Sequence, residues 1–144
     1  MKLVIIDGQG GRLGSLLTEK IKAEPALSKH ELLAIGTNSI ATSEMLKAGA
    51  DFGATGENPI AVACEDADFI IGPVGIVCAN SLFGEVTERA AVSVGKSRAE
   101  KILIPVNKCK IRVAGISQST LSSLADDAVR LLLSETKRLT ENER

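Results

Sequence analysis

The chain has 144 residues, 44% of them apolar, and its 17 basic and 18 acidic side chains leave a net charge of -1. That is room for one domain with one substantial core, and it supplies no overall field to draw nucleic acid or an anionic membrane. Three Phe and no Trp or Tyr also deprive it of the aromatic platforms on which single-stranded bases stack, so neither a nucleic-acid nor a membrane partner is expected.

The first stretch is the most informative. Lys2-Leu3-Val4-Ile5-Ile6 is an apolar run too short for a helix, and it feeds Asp7-Gly8-Gln9-Gly10-Gly11-Arg12-Leu13-Gly14. Leu13, Leu16, Leu17 and Ile21 then recur with helical spacing. The pattern predicts a strand, a tight glycine turn and a helix from about Gly11 to Ala23, broken at Glu24-Pro25-Ala26 because proline cannot continue a helix interior. Asp7 and the glycines also cut the opening apolar run too short for a signal peptide.

A second strand is expected over Glu31–Ile35, after His30, which sits on a connection at the amino end of that strand. Asn38 or Ser39 is placed to cap a helix through Ile40, Met45 and Leu46, and Gly49 to end it in the left-handed conformation. Asp51–Ala54 reads as a short edge strand, Thr55–Pro59 as a turn into a brief helix through Ile60, Val62 and Ala63, and Asp68–Gly72 as a buried strand. Beyond Pro73-Val74-Gly75-Ile76 a helix is expected between Ala79 and Gly95, with Leu82, Phe83, Val86, Ala90 and Val94 near one face. That helix either packs wholly in the core or closes a homodimer. Lys101–Val106 and Ile111–Ile116 predict an antiparallel hairpin across Asn107–Lys110, and a last helix from near Ser119 frays into a solvated tail, residues 138–144.

Strands thus alternate with helices, and most strands are continuously apolar, as when both faces of a parallel sheet are covered. The expected architecture is a single doubly wound α/β domain over residues 1–137 with a mostly parallel sheet and a C-terminal antiparallel hairpin. The three cysteines, Cys64, Cys78 and Cys109, form no CxxC pair and are odd in number, which suits a reducing cytoplasm. The longest later apolar stretch, Phe69–Ala79, is interrupted by Gly72, Pro73 and Gly75 and falls short of the roughly 20 residues that span a bilayer. A soluble cytoplasmic protein is expected.

In such sheets ligands bind beyond the carboxyl ends of the strands. Five segments of unusual composition fall there: Gly8–Arg12, Thr37–Ser39, Thr55–Asn58, Gly72–Gly75 and Asn107-Lys108. The first has the context a phosphate turn requires, a strand before it and a helix after it. It is not a Walker loop, since no Lys-Ser or Lys-Thr follows the glycines. The candidate cofactor residues are therefore Gly8, Gln9, Gly10, Gly11, Arg12, Gly14, Thr37, Asn38, Ser39, Gly72, Pro73, Val74 and Gly75. A typical NAD site carries an acidic residue after the second strand, roughly twenty residues beyond the glycines, to bind the ribose 2′-hydroxyl. Thr37-Asn38-Ser39 holds no carboxylate, which with Arg12 nearby favours NADP over NAD. Catalytic candidates are sparse: Lys108, Asn107, Asn80 and Glu57. Cys109, between Lys108 and Lys110, is a candidate reactive thiol, and no metal is expected.

The string Gly8-Gln9-Gly10-Gly11-Arg12-Leu13-Gly14 resembles the GxGGRMG-type loop that opens the nucleotide domain of dihydrodipicolinate reductases, with Leu13 in place of methionine. The resemblance implies that Gly8, Gly11 and Gly14 serve the turn and the pyrophosphate, and that Arg12 reaches a 2′-phosphate or a pyrophosphate oxygen. It covers only about the first twenty residues, and the histidine-rich catalytic domain of that family has no counterpart here. The strings IDGQGG, GTNSIATSEMLKAGAD, ATGEN, IIGPVGIV and KILIPVNKC resemble, along nearly the whole chain, a family of short bacterial proteins classified only as a domain of unknown function. That resemblance implies a Rossmann-like fold without a defined activity. The functional expectation is a nucleotide-binding protein, an NADP-dependent oxidoreductase with its substrate site shared across a homodimer if it is an enzyme. The alternative is a non-catalytic sensor or interaction module whose glycine loop binds another phosphate ligand or nothing.

Overall fold

The computed structural model of the chain describes residues 1–106 and 110–142. Its first strand, β1 (Lys2–Asp7), shows why the opening run is continuously apolar: Leu3 and Ile5 enter one core layer while Val4 and Ile6 enter the other. The remaining strands are β2 (Glu31–Gly36), β3 (Phe52–Thr55), β4 (Phe69–Pro73) and β5 (Glu100–Ile104), in the order β3-β2-β1-β4-β5. Every pairing is parallel, with Asp7 opposite Gly36 and Gly36 opposite Thr55, so these strand ends lie level along one rim. Strand order reverses between β1 and β4, directly beside the glycine turn.

Parallel neighbours need crossovers, and the helices supply them on both faces. One layer holds α1 (Arg12–Ala23), α2 (Pro25–Ser28), α3 (Ser39–Lys47) and α6 (Leu121–Asn142), which bury Leu17, Ile21, Leu27, Met45, Ala125 and Leu132 against Leu3, Ile5, Phe69 and Ile102. The opposite layer holds α4 (Glu57–Asp66), the 3-10 turn Val74–Val77 and α5 (Glu88–Lys96), with Ile60, Ile76, Ala90 and Val94 against Val4, Ile6, Ile35 and Ile70. At about 1.5–3 kcal/mol for each fully buried large aliphatic side chain, these two layers are what hold the rim in place.

The strands expected from the sequence through β4 are present, and Asn38 caps α3, its Oδ1 accepting from the Ala41 N–H at 2.9 Å. Gly49 ends that helix at φ 115. Two expectations are corrected. The antiparallel hairpin does not form: β5 is parallel to β4, and residues 112–120 lie exposed outside any strand, with Gly115 turning at φ 85. An alternating apolar segment specifies a strand only when one face is buried, and Val113 and Ile116 remain about half exposed.

The helix expected over residues 79–95 begins only at Glu88. Leu82, Val86, Ala90 and Val94 do share a buried layer, but Asn80, Leu82 and Phe83 take left-handed φ values of 63, 54 and 56. Residues 78–86 are thus a looped strap, and Thr87 restarts the helix, its Oγ1 accepting from the Ala90 N–H at 3.1 Å. The last helix, α6, runs on to Asn142, with Arg138 and residues 140–142 exposed and Leu139 packing against the core.

Candidate functional site

The glycine turn is held from within by Asp7. Its buried carboxylate accepts the Gly8 N–H at 2.8 Å through Oδ1 and the Gly14 N–H at 2.7 Å through Oδ2. A residue at the end of β1 therefore serves as the cap that α1 lacks, since the residue at its N-cap is Gly11, which has no side chain to offer. The glycines divide by what surrounds them. A Cβ on Gly11, at φ 71, would stand 2.7 Å from Ala41 Cα, and one on Gly14 would stand 2.4 Å from Met45 Sδ. Both positions are glycine because α1 passes close to α3. A Cβ on Gly8 would stand 2.4 Å from Thr37 Oγ1 and 2.9 Å from Leu82 Cδ1. Among the described residues, Gly10 alone of the four has nothing within 4 Å of its virtual Cβ, and it is exposed.

Beside this turn lies a cleft of about 360 Å³, lined by residues 7–13 of the turn and by Pro73, Leu82, Val106 and Leu121. It opens where strand order reverses between β1 and β4, the position at which doubly wound sheets bind their ligands. Arg12 is exposed and lines both this cleft and a shallower groove shared with Glu19, Glu44 and Ser122; among the described residues no carboxylate pairs with it. A larger hollow of about 590 Å³ lies between Pro105, just past the end of β5, residues 112–120 and Leu124, with Arg112, Ser117, Gln118, Ser119 and Thr120 among its lining; it is not at the reversal of strand order between β1 and β4.

The third component is absent from the sequence reading. Glu85, on the strap, reaches over the ends of β1 and β2. Its Oε1 accepts from Thr37 Oγ1 at 2.9 Å, Asn38 Nδ2 at 2.5 Å and the Gln9 N–H at 3.1 Å, while among the described residues Oε2 takes only the longer share of that N–H, at 3.2 Å. Burial would raise this carboxyl, but the hydrogen bonds from Asn38, Gln9 and Thr37 outweigh it and hold its pKa below the ordinary glutamate value of 4.5. Asn38 is the hinge of the set: while capping α3, it also donates from Nδ2 to the Gln9 carbonyl at 2.9 Å.

The expected site residues therefore separate. Gly8–Arg12, Gly14, Thr37 and Asn38 come together with Glu85, and Pro73 joins them across the cleft. Ser39 begins α3 and is exposed. Gly72 is spoken for by packing, since a Cβ there would meet the Ile6 carbonyl oxygen at 2.3 Å. Val74 and Gly75 turn the chain into the strap, with the Gly75 carbonyl accepting from Ser81 Oγ, and do not line the cleft.

Of the catalytic candidates, Glu57 lies at the start of α4, where it accepts from Thr87 Oγ1 at 2.6 Å and ties α4 to α5. Asn80 is exposed at φ 63 and lines a separate hollow with Phe83 and Lys110. Asn107, Lys108 and Cys109 lie outside the described residues. Burial pushes the Cys64 thiol up to about 11, with Lys101 opposing it, so this cysteine is inert at neutral pH. Among the described residues, no group of three or more His, Cys, Asp or Glu is placed to hold a metal, and no helix is long and apolar enough to cross a membrane.

Two missed residues had faint signals. Asp7 immediately follows an apolar run and precedes glycine, a position from which a carboxylate can reach the next helix start. Glu85 was hidden inside a stretch read as helix, although Gly84 before it and Thr87 after it mark a turn and a new cap.

A five-stranded parallel sheet in the order β3-β2-β1-β4-β5, covered on both faces and opening at a glycine turn, defines a Rossmann-like α/β protein. The chain belongs to the family described as Domain of unknown function (DUF3842), whose model matches residues 2–137. No curated protein and no solved structure matches it.

Proposed function

We propose that the protein binds a nicotinamide dinucleotide, NADP or NAD, in the cleft between the turn after β1 and the loop after β4. The observation that carries this reading is the cleft itself. It lies at the reversal of strand order, and Gly10, Gly11, Arg12 and Leu13 at the start of α1 line it. A pyrophosphate there gains the positive end of a twelve-residue helix and the Arg12 guanidinium, and Gly10 leaves room for close approach. The apolar wall of Pro73, Leu82, Val106 and Leu121 suits a flat ring.

That same wall favours binding over chemistry. The described lining is glycine backbone and apolar side chains, with Gln9, Arg12 and the engaged Asp7 its polar members. A module whose occupancy is read by another protein is therefore the second reading, and an NADP-dependent oxidoreductase would have to draw its acid or base from outside these residues.

Thermal denaturation against NADP, NAD, ADP and a flavin tests the proposal. A ligand at about a hundred times its Kd stabilises by roughly 2.7 kcal/mol, a rise of several degrees in Tm for a domain of this size. NADP or NAD is expected to give that rise, and no response to any of the four at millimolar concentration would sink the reading. Arg12→Ala is expected to leave the unliganded Tm unchanged and to weaken dinucleotide binding roughly tenfold to a hundredfold, the loss of one charge-assisted phosphate contact.

A further inference from the structure

We propose that Glu85 is the specificity residue of this site: its carboxylate accepts the ribose hydroxyls of a dinucleotide, so that the pocket takes a free 2′,3′-diol and rejects a 2′-phosphate. The inference rests on the dinucleotide reading above and reverses the NADP preference expected from the sequence. That preference followed from the absence of a carboxylate in Thr37-Asn38-Ser39. The fold supplies one from elsewhere, because the strap after β4 carries Glu85 onto the side chains of Thr37 and Asn38.

Position is the first support. Thr37 directly follows β2, and its N–H bonds the Asp7 carbonyl at 2.9 Å, so the carboxylate stands over the gap between β1 and β2. Gln9, which donates to Glu85, also lines the cleft. A ribose linked to a pyrophosphate at Gly10 and Arg12 falls on this side of the turn, where a doubly wound sheet ordinarily presents its diol-binding carboxylate.

Valence is the second. A carboxylate offers about four acceptor positions. Among the described residues Thr37, Asn38 and Gln9 crowd Oε1, whereas Oε2 has only a share of the Gln9 N–H. Oε2 is thus the oxygen with capacity to spare, and an ionised carboxylate accepts hydrogen bonds from hydroxyls while repelling a phosphate dianion.

Rigidity is the third. The strap is closed by Asn80 N–H to the Val86 carbonyl at 2.7 Å and Gly84 N–H to the Asn80 carbonyl at 3.1 Å. Leu82, 5% exposed, anchors it against Gly8. Glu85 is held in place before any ligand arrives, which lowers the entropic cost of using it. Arg12, on the cleft side with Val106 and Leu121, then serves the pyrophosphate and not a 2′-phosphate.

The test is calorimetric titration of NAD, NADP and an NAD lacking the adenosine 2′-hydroxyl against the wild-type chain and Glu85→Gln. Wild type is expected to bind NAD roughly tenfold to a hundredfold more tightly than either analogue, the worth of a hydrogen bond to a charged group. Glu85→Gln is expected to reduce that gap to about threefold or less, mainly by weakening NAD. The comparison among ligands on wild type needs no variant to fold. Wild-type binding of NADP as tight as NAD, or a uniform tightening of all three ligands in Glu85→Gln, would overturn the inference and leave dinucleotide binding standing; the second result would make the carboxylate a plug. Failure of wild type to bind any of the three overturns both.

Discussion

The two rims of the sheet handle charge differently. At the rim where the strands begin, carboxylates meet lysines. Asp51 Oδ2 accepts the Leu32 N–H at 2.9 Å and Lys22 Nζ at 2.6 Å, and Lys2 places its N–H on Asp68 at 2.7 Å and its Nζ on Asp66 at 2.5 Å. At the rim where the strands end, the donors to Glu85 are a hydroxyl, an amide and a backbone N–H, all neutral. Arg12 stands on the same turn without a carboxylate among the described residues. Exposed ion pairs add little to stability, so the starting rim is simply neutralised in place. The ending rim keeps an anion and a cation apart on opposite sides of one glycine turn. A ligand that carries hydroxyl donors at one end and phosphates at the other fits that separation, whereas a pure anion would suit Arg12 alone.

If the ending rim is a preformed scaffold, its largest sensitivity should lie where backbone meets backbone. Gly11→Val places a branched Cβ at φ 71 and 2.7 Å from Ala41 Cα, where only separation of α1 from α3 gives relief. Urea unfolding is expected to show a loss of about 2–4 kcal/mol. A loss of only about 0.5 kcal/mol would mean that the two helices are not in the close approach that makes Gly11 and Gly14 necessary.

The starting rim should respond far less. Asp51→Asn keeps an acceptor for the Leu32 N–H and removes the charge paired with Lys22, so at neutral pH it is expected to cost no more than about 1 kcal/mol and to leave ligand affinity untouched. Its pH dependence has a definite sign. Burial would raise this carboxyl, but the hydrogen bonds from Lys22 and Leu32 prevail and hold its pKa below the ordinary 3.8. The stabilisation is therefore complete above about 3.8 and is lost as pH falls through the lower folded value. Acid titration of unfolding should show a shallower decline below pH 4 in Asp51→Asn than in wild type; identical curves would mean that the pairing contributes nothing.

The same contrast explains what the sequence could and could not convey. β1, the glycine turn and α1 were legible because a buried strand, glycine spacing and helical periodicity occupy one continuous stretch. Asn38 as a cap was legible for the same reason: it acts on a backbone three residues away. Glu85 acts on Gln9, Thr37 and Asn38 from the far side of β4, and the helical spacing of Leu82, Val86, Ala90 and Val94 outweighs the local turn and cap signals of Gly84 and Thr87 in a reading of 82–94. Ile111–Ile116 carried the right composition for a strand but gained no buried face, which composition does not record. The turn and its cap were thus local, while the contacts that place Glu85 beside them came from chain crossings.

The smallest structural change should be the most discriminating for function. Gly8, Gly11 and Gly14 are each required by an atom already present in the fold, so substituting them confuses packing with binding. Gly10 has open space around it and no left-handed φ. Gly10→Ala is therefore expected to leave unfolding free energy within about 0.5 kcal/mol of wild type. A methyl group there would still stand where a pyrophosphate must approach the turn, so dinucleotide affinity should fall at least about tenfold, by loss of phosphate contacts of the charge-assisted kind. Stability lost along with affinity would show that Gly10 is one more packing glycine, and unchanged affinity would move the phosphate off this turn altogether. The combination of an intact fold with a lost ligand is the outcome that separates a binding turn from a tight connection between strand and helix.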